Sequence, residues 1–216
     1  MTSLGEAKQT FAEHPRWRCT GRSVSNKNDV LWAVERAYID AMPRTVRGHG
    51  EIPRNRLNNL RSEVTEAFCT YLNGEPPTNL EAFEKIHRAL CNEHFLMPYN
   101  KLLNEFGAAE QQYGKAQKVI NMAFKYLSCF DGADTYKDHF VFCHMPIDSV
   151  ILAWCREHCG ISGTVSWSNI RDFEYYAFQN FIRNWLAAHA ENPAYDSLPE
   201  KPLEAEFVIW HEAAMS

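Results

Sequence analysis

Apolar residues recur at intervals of three and four along nearly the whole chain, which is the spacing of one helix face and not the alternation of a strand. Residues 28–42, NDVLWAVERAYIDAM, place Leu31, Val34, Tyr38 and Met42 on one side. Residues 55–72 repeat the pattern through Leu57, Leu60, Val64, Phe68 and Leu72, and stop at Asn73-Gly74 ahead of Pro76 and Pro77. Thr78 to Glu81 has the form of a capping box opening LEAFEKIHRALCNEHF, and Pro98 begins a short helix, YNKLLNEFG. Gly107 and Gly114 bracket AAEQQY ahead of YGKAQKVINMAFKYL, residues 113–127. Asp148 stands where an N-cap belongs, before an apolar helix ending at Gly160, and Ser166 or Ser168 caps a helix over about 169–190. HFVFCH, residues 139–144, is a short strand candidate. From Asn192 onward, Pro193, Pro199 and Pro202 indicate a loosely packed tail with one short helical piece near 207–213. The expected class is all-α, one domain over 1–216 with approximate lobes 1–98 and 99–190 flanking a groove.

A chain of 216 residues, 45% apolar, is long enough to enclose a site. It contains no apolar run of about 18 residues, and its N-terminus is polar, so a cytoplasmic protein without membrane contact is expected. Seven scattered cysteines point to reduced thiols. Cys143, His144, Cys155, His158 and Cys159 carry zinc-compatible atoms but no paired C-x2-C knuckle, so a zinc module is the weakest reading and no metal site is expected. The net charge of −5 disfavours bulk attraction to nucleic acid. Against it, residues 43–61 gather Arg44, Arg47, Arg54, Arg56 and Arg61, a solvated loop and helix start or a phosphate-contacting patch.

Within residues 113–127, Lys118, Asn121, Met122 and Lys125 form one stripe, while Val119, Ile120, Ala123, Phe124 and Leu127 bury the opposite side. An amine held at the rim of a core beside a second cation is biased toward its neutral, nucleophilic form; on a solvated edge it is an ordinary surface lysine. Thirty positions after Lys118 comes Met145-Pro146-Ile147-Asp148. A carboxylate fixed at a helix N-terminus suits the stabilisation of positive charge, and an amine nearby suits covalent trapping of a carbonyl carbon.

Taken together, GKAQKVINMAFKYL followed by MPIDSVILAW resembles the helix-hairpin-helix DNA glycosylase superfamily, over about residues 102–154. The likeness is greatest to the divergent archaeal 8-oxoguanine DNA glycosylase branch, because the L-P-G-x-G hairpin is missing, the linker to Asp148 is long, and a lysine stands two turns after the first. The resemblance implies Lys118 as nucleophile, Asp148 as catalytic aspartate and Gly114 as part of the hairpin. It implies a double-stranded DNA partner carrying a damaged or modified base, and a glycosylase with lyase activity that works as a nucleoid-associated monomer without cofactor. With only Cys155 and Cys159 following Asp148, no iron-sulfur cluster is expected.

An extruded base needs stacking faces and polar edges. Met122, Lys125, Asp172 and Tyr176 are candidates for that pocket, with Phe173, Tyr175, Phe178, Glu174 and Gln179 beside them. Gly114, Lys115, Arg54 and Arg56 are candidates for contact with the DNA backbone. The substrate stays open between an oxidised purine, in repair, and a hypermodified cytosine of phage DNA, in antiviral defence. A helical module that binds DNA or protein without catalysis is the alternative.

Overall fold

The computed structural model describes residues 2–42, 51–162 and 166–215. Its regular structure is helical: α1 Leu4–Glu13, α2 Lys27–Ala41, α3 Arg54–Asn73, α4 Leu80–Ala89, α5 Met97–Glu105, α6 Tyr113–Leu127, α7 Lys137–Phe140, α8 Ser149–His158, α9 Asp172–His189 and α10 Pro202–Met215. Among the described residues there is no strand, only an isolated bridge between Ser23 and Asp131. No helix of the described residues is long and apolar enough to cross a membrane.

α6 is the axis of the fold. All fifteen of its residues are buried, including its three lysines, so none of them lies on a solvated edge. α2 packs along it most extensively, the Leu90–Leu96 π-helical stretch covers another side, and the Trp167–Asn169 turn covers its first residues. The large apolar cluster gathers around it, with Phe68 and Phe83 against Phe124. A smaller cluster joins α8, α9 and α10 through Met145, Ile151, Cys155, Ile182, Leu186, Ala205 and Ile209. Phe178 and Leu198 pack against both clusters.

Several element boundaries differ from the sequence expectations. The N-cap of α4 is Asn79, whose Oδ1 accepts from Ala82 N at 2.9 Å, and not Thr78. α9 starts later than a Ser166 or Ser168 cap requires: Trp167–Asn169 forms a 3₁₀ turn, and Glu174 reaches back to Arg171 N at 2.9 Å. Pro98 does not open a separate helix, because α4, the π-helical stretch and α5 run on with helical junctions. A proline cannot donate to the carbonyl four residues back and crowds it, and the wider π turn directly upstream absorbs that conflict. HFVFCH is not a strand; His139 and Phe140 close α7 and residues 143–147 are irregular.

The largest correction concerns the C-terminus. α10 is a fourteen-residue helix whose Leu203, Ala205, Glu206, Phe207, Val208 and Ile209 are all buried, not a loose tail. It packs on α1, α8 and α9. Pro202 is its first residue, where a missing N–H costs nothing.

Candidate functional site

α6 and the N-terminus of α8 bring Lys118 and Asp148 together. Lys118 Nζ donates to Asp148 Oδ2 at 2.5 Å, while Asp148 Oδ1 accepts from Val150 N at 2.9 Å and Ile151 N at 3.1 Å. Asp148 is therefore the N-cap of α8, as expected, and uses its other oxygen for the amine. Burial pushes its carboxyl up, but the Lys118 charge and hydrogen bond, the Ile151 amide and the more distant Lys125 outweigh it, so its pKa lies below the usual value. The Lys118 side chain is 9% exposed and that of Asp148 19%. From Ser149 and Val150, next to Asp148, a groove of about 480 Å³ runs past Ala153 and Trp154 to Ile209 and Glu212 of α10.

Two turns along α6, Lys125 forms an ion pair with Glu206 of α10 that is almost wholly shut off from solvent. The Lys125 amine lies over the rings of Phe11, Phe207 and Trp210, at 4.1, 4.7 and 5.2 Å from their centroids. Burial lowers the Lys125 pKa and raises that of Glu206, each partly offset by the partner's charge. The two pairs also feel each other: Lys118 acts on Glu206, and Lys125 on Asp148. Two cations and two carboxylates thus form one buried group at the seam between the apolar clusters.

The remaining pocket candidates divide by depth. Met122 is buried one turn beyond Lys118. Tyr176 is buried too, its hydroxyl 2.8 Å from that of Tyr113 and 2.9 Å from His87 Nδ1. Arg88 covers the Tyr176 ring at 4.0 Å and pairs with Asp172 at 2.6 Å, so Asp172 marks the exposed rim above Tyr176. Tyr175 is enclosed, accepting from Asn121 Nδ2 at 2.7 Å and lying 2.9 Å from His144 Nδ1. Phe173 is 59% exposed under the Arg171 guanidinium, which is itself paired with Glu174. Gln179 has no exposure; its amide is taken up by the backbone of Met145.

Among the DNA-contact candidates, Gly114 packs directly under the Trp167–Asn169 turn and donates its N–H to Ile170 O at 2.9 Å. Lys115 does not meet solvent as its place at the helix start suggests: it is 3% exposed, beneath the Trp167 ring at 4.7 Å, and burial lowers its pKa. Arg54 is exposed at the start of α3, and Arg56 pairs with Glu105 at 2.6 Å. Arg61 lies over the Tyr38 ring at 4.5 Å. Arg44 and Arg47 lie outside the described residues.

Cys143, His144, Cys155, His158 and Cys159 do not converge. Cys143 Sγ is directed to His139 O and His144 to Tyr175, while the other three sit at the far end of α8. Among the described residues, no three His, Cys, Asp or Glu side chains are grouped so that they could hold a metal ion.

Sequence reasoning missed Glu206, which it had placed in a tail. The available signal was a single acid inside the apolar run Ala205 to Trp210. It also missed Gln117, His87 and Asn121 as a buried polar group beside the lysine: His87 Nε2 lies 3.0 Å from Asn121 Oδ1, and burial drives the His87 pKa down to about 3. No family model, curated protein or solved structure matches the chain.

Proposed function

We propose that the chain is a DNA glycosylase of the helix-hairpin-helix kind with lyase activity, its nucleotide entering between two helical lobes. The observation that carries this reading is the Lys118 amine seated on a carboxylate that is itself anchored by two backbone amides.

In the proposed reaction the Lys118 ammonium first loses a proton to solvent, and the neutral nitrogen attacks C1′ of an extruded nucleotide. The glycosidic electron pair leaves with the base, which takes a proton from water, and Asp148 takes the proton released by the amine. The fixed charge of Asp148 faces the positive charge that builds on the sugar as the C1′–N bond breaks. Ring opening then gives a C1′=N Schiff base. Loss of a C2′ proton expels the 3′ phosphate and cuts the strand. The low pKa of Asp148 favours its acting chiefly as an electrostatic group. A groove lined by Ser149 and Val150, the residues that follow Asp148, runs along α8.

The test is a screen of duplexes carrying oxidised purines or hypermodified cytosines, scored for abasic sites, for strand cleavage without alkali, and for borohydride-trapped adduct. A trapped adduct lost in Lys118→Gln supports the proposal, and the reactive duplex names the substrate class. If no duplex loses a base, and Lys118→Gln and Asp148→Asn leave DNA binding unaltered, the enzyme reading fails and a binding module remains.

A further inference from the structure

Asp148 follows an irregular segment, residues 143–147, that has no strand partner among the described residues. Its backbone is nevertheless paired on one edge. Gln117 of α6 accepts from Ile147 N at 3.1 Å through Oε1 and donates to Ile147 O at 2.8 Å through Nε2. Gln179 of α9 does the same to Met145, accepting at 3.3 Å and donating at 2.7 Å. In an extended chain, residues two apart direct their N–H and C=O groups to the same side. The two glutamines therefore replace a neighbouring strand with side chains from two helices. Pro146, between them, has no N–H to place on the opposite edge.

Both glutamines have zero exposure, and Gln117 is fully committed. Its Nε2 also donates to Gly114 O at 3.0 Å, and its Oε1 also accepts from Asn121 Nδ2 at 3.1 Å. Turning that amide over would put donors against donors at Ile147 and Asn121, so its orientation is locked. Gln117 is adjacent in the chain to Lys118, and Ile147 is adjacent to Asp148. One side-chain amide thus ties the backbone beside the carboxylate to the backbone beside the amine.

We propose that Gln117 and Gln179 are positioning residues of the reaction: as a two-part edge they hold the 145–147 backbone and so fix where Asp148 stands relative to Lys118. The proposal rests on the glycosylase reading for its catalytic meaning, and on the hydrogen bonds alone for its geometric content. Misplacing a catalytic group by about 1 Å costs on the order of 100-fold in rate.

Two measurements on the full chain test it. The first is single-turnover trapping on a duplex containing one abasic site, with cyanoborohydride, across pH. The second is titration of the Asp148 carboxyl followed by carbon NMR, which needs no DNA. In Gln117→Met the trapping rate at saturating duplex is expected to fall by on the order of 100-fold, with half-saturation changed by less than about twofold. The Asp148 titration is expected to move up toward the ordinary carboxylate range as its contact with Lys118 loosens. The other charges facing Asp148, Lys125 on α6 and Glu206 on α10, are left in place. Gln179→Met is expected to shift both readings the same way by less, because it holds Met145, two residues further from Asp148 than Ile147.

A lower melting temperature with wild-type trapping per folded molecule and a wild-type Asp148 titration overturns the proposal. If the wild-type chain gives no adduct, the lyase step of the proposed function is what fails, and the Asp148 titration still decides the geometry. Should Gln117→Met not fold, Gln179→Met, which leaves Gln117 and Lys118 untouched, is judged by the same readings.

Discussion

Lys118 and Asp148 are thirty residues apart in the chain and meet at 2.5 Å where the large apolar cluster gives way to the small one. Because Asp148 uses separate oxygens for the amine and for the α8 amides, the two roles can be separated by mutation. Asp148→Asn keeps an N-cap acceptor and removes the charge, whereas Asp148→Ala removes both. Urea unfolding should show Asp148→Ala less stable than Asp148→Asn by about 1 kcal/mol, the usual worth of a cap. Both should abolish adduct trapping alike. Equal stability of the two variants would mean that the cap hydrogen bonds contribute nothing.

The lowered pKa of Asp148 gives stability a defined pH dependence. Its folded-state value lies below the unfolded one, so folding favours the ionised form. That contribution is complete above the unfolded carboxyl range and disappears as pH falls through it toward the folded value, below about pH 4. Asp148→Asn should therefore lose less stability than wild type over that acid interval, while the two run parallel near neutrality. Curves that stay parallel down to the acid transition would contradict it.

Lys125 and Glu206 should respond differently from an exposed pair. Removing one partner leaves the other charged group buried without its counter-ion, and Lys125→Met alone or Glu206→Leu alone should cost about 3–5 kcal/mol. The double variant places two apolar side chains among Phe11, Phe207 and Trp210 and should recover most of that loss. A double-mutant cycle by chemical denaturation measures the coupling, and simple additivity would rule it out.

Gly114 is constrained by a neighbour and not by its torsion angles. A Cβ there would lie 1.9 Å from Trp167 O, a backbone atom, so Gly114→Ala must push the Trp167–Asn169 turn away and uncover Lys115. A loss of about 1–3 kcal/mol is expected, with a change in tryptophan fluorescence. Gly5, inside α1, has nothing within 4 Å of its Cβ direction, and Gly5→Ala should be neutral or stabilising by up to about 1 kcal/mol. Equal effects at the two sites would refute the packing argument.

The all-helical class and the course of α6 were legible because spacing of apolar residues is a local property, and so was the Asp148 cap, set by the residue before an apolar run. Asn79 and Thr78 are both good caps, and only the backbone turn chooses between them. The prolines before α10 read as breakers, yet Pro202 is an opener, and the two signals look alike without knowing what the helix packs on. Glu206 and Gln117 were not legible in their roles. A lone acid in an apolar stretch does not name its cation, and a glutamine beside a lysine does not disclose that Ile147, thirty positions on, will occupy its amide. Burial of Lys115 likewise depends on Trp167, more than fifty residues away.

The enclosure of α6 on every side has a consequence for how such a protein can change over generations. A substitution at any of its fifteen positions is a core substitution, so the residues around Lys118 are tied to the integrity of the whole chain. Its amides should be among the last to exchange with solvent. Diversification in what the protein recognises would then have to come from its surroundings: the rim at Asp172, the exposed Phe173, and the groove between α8 and α10.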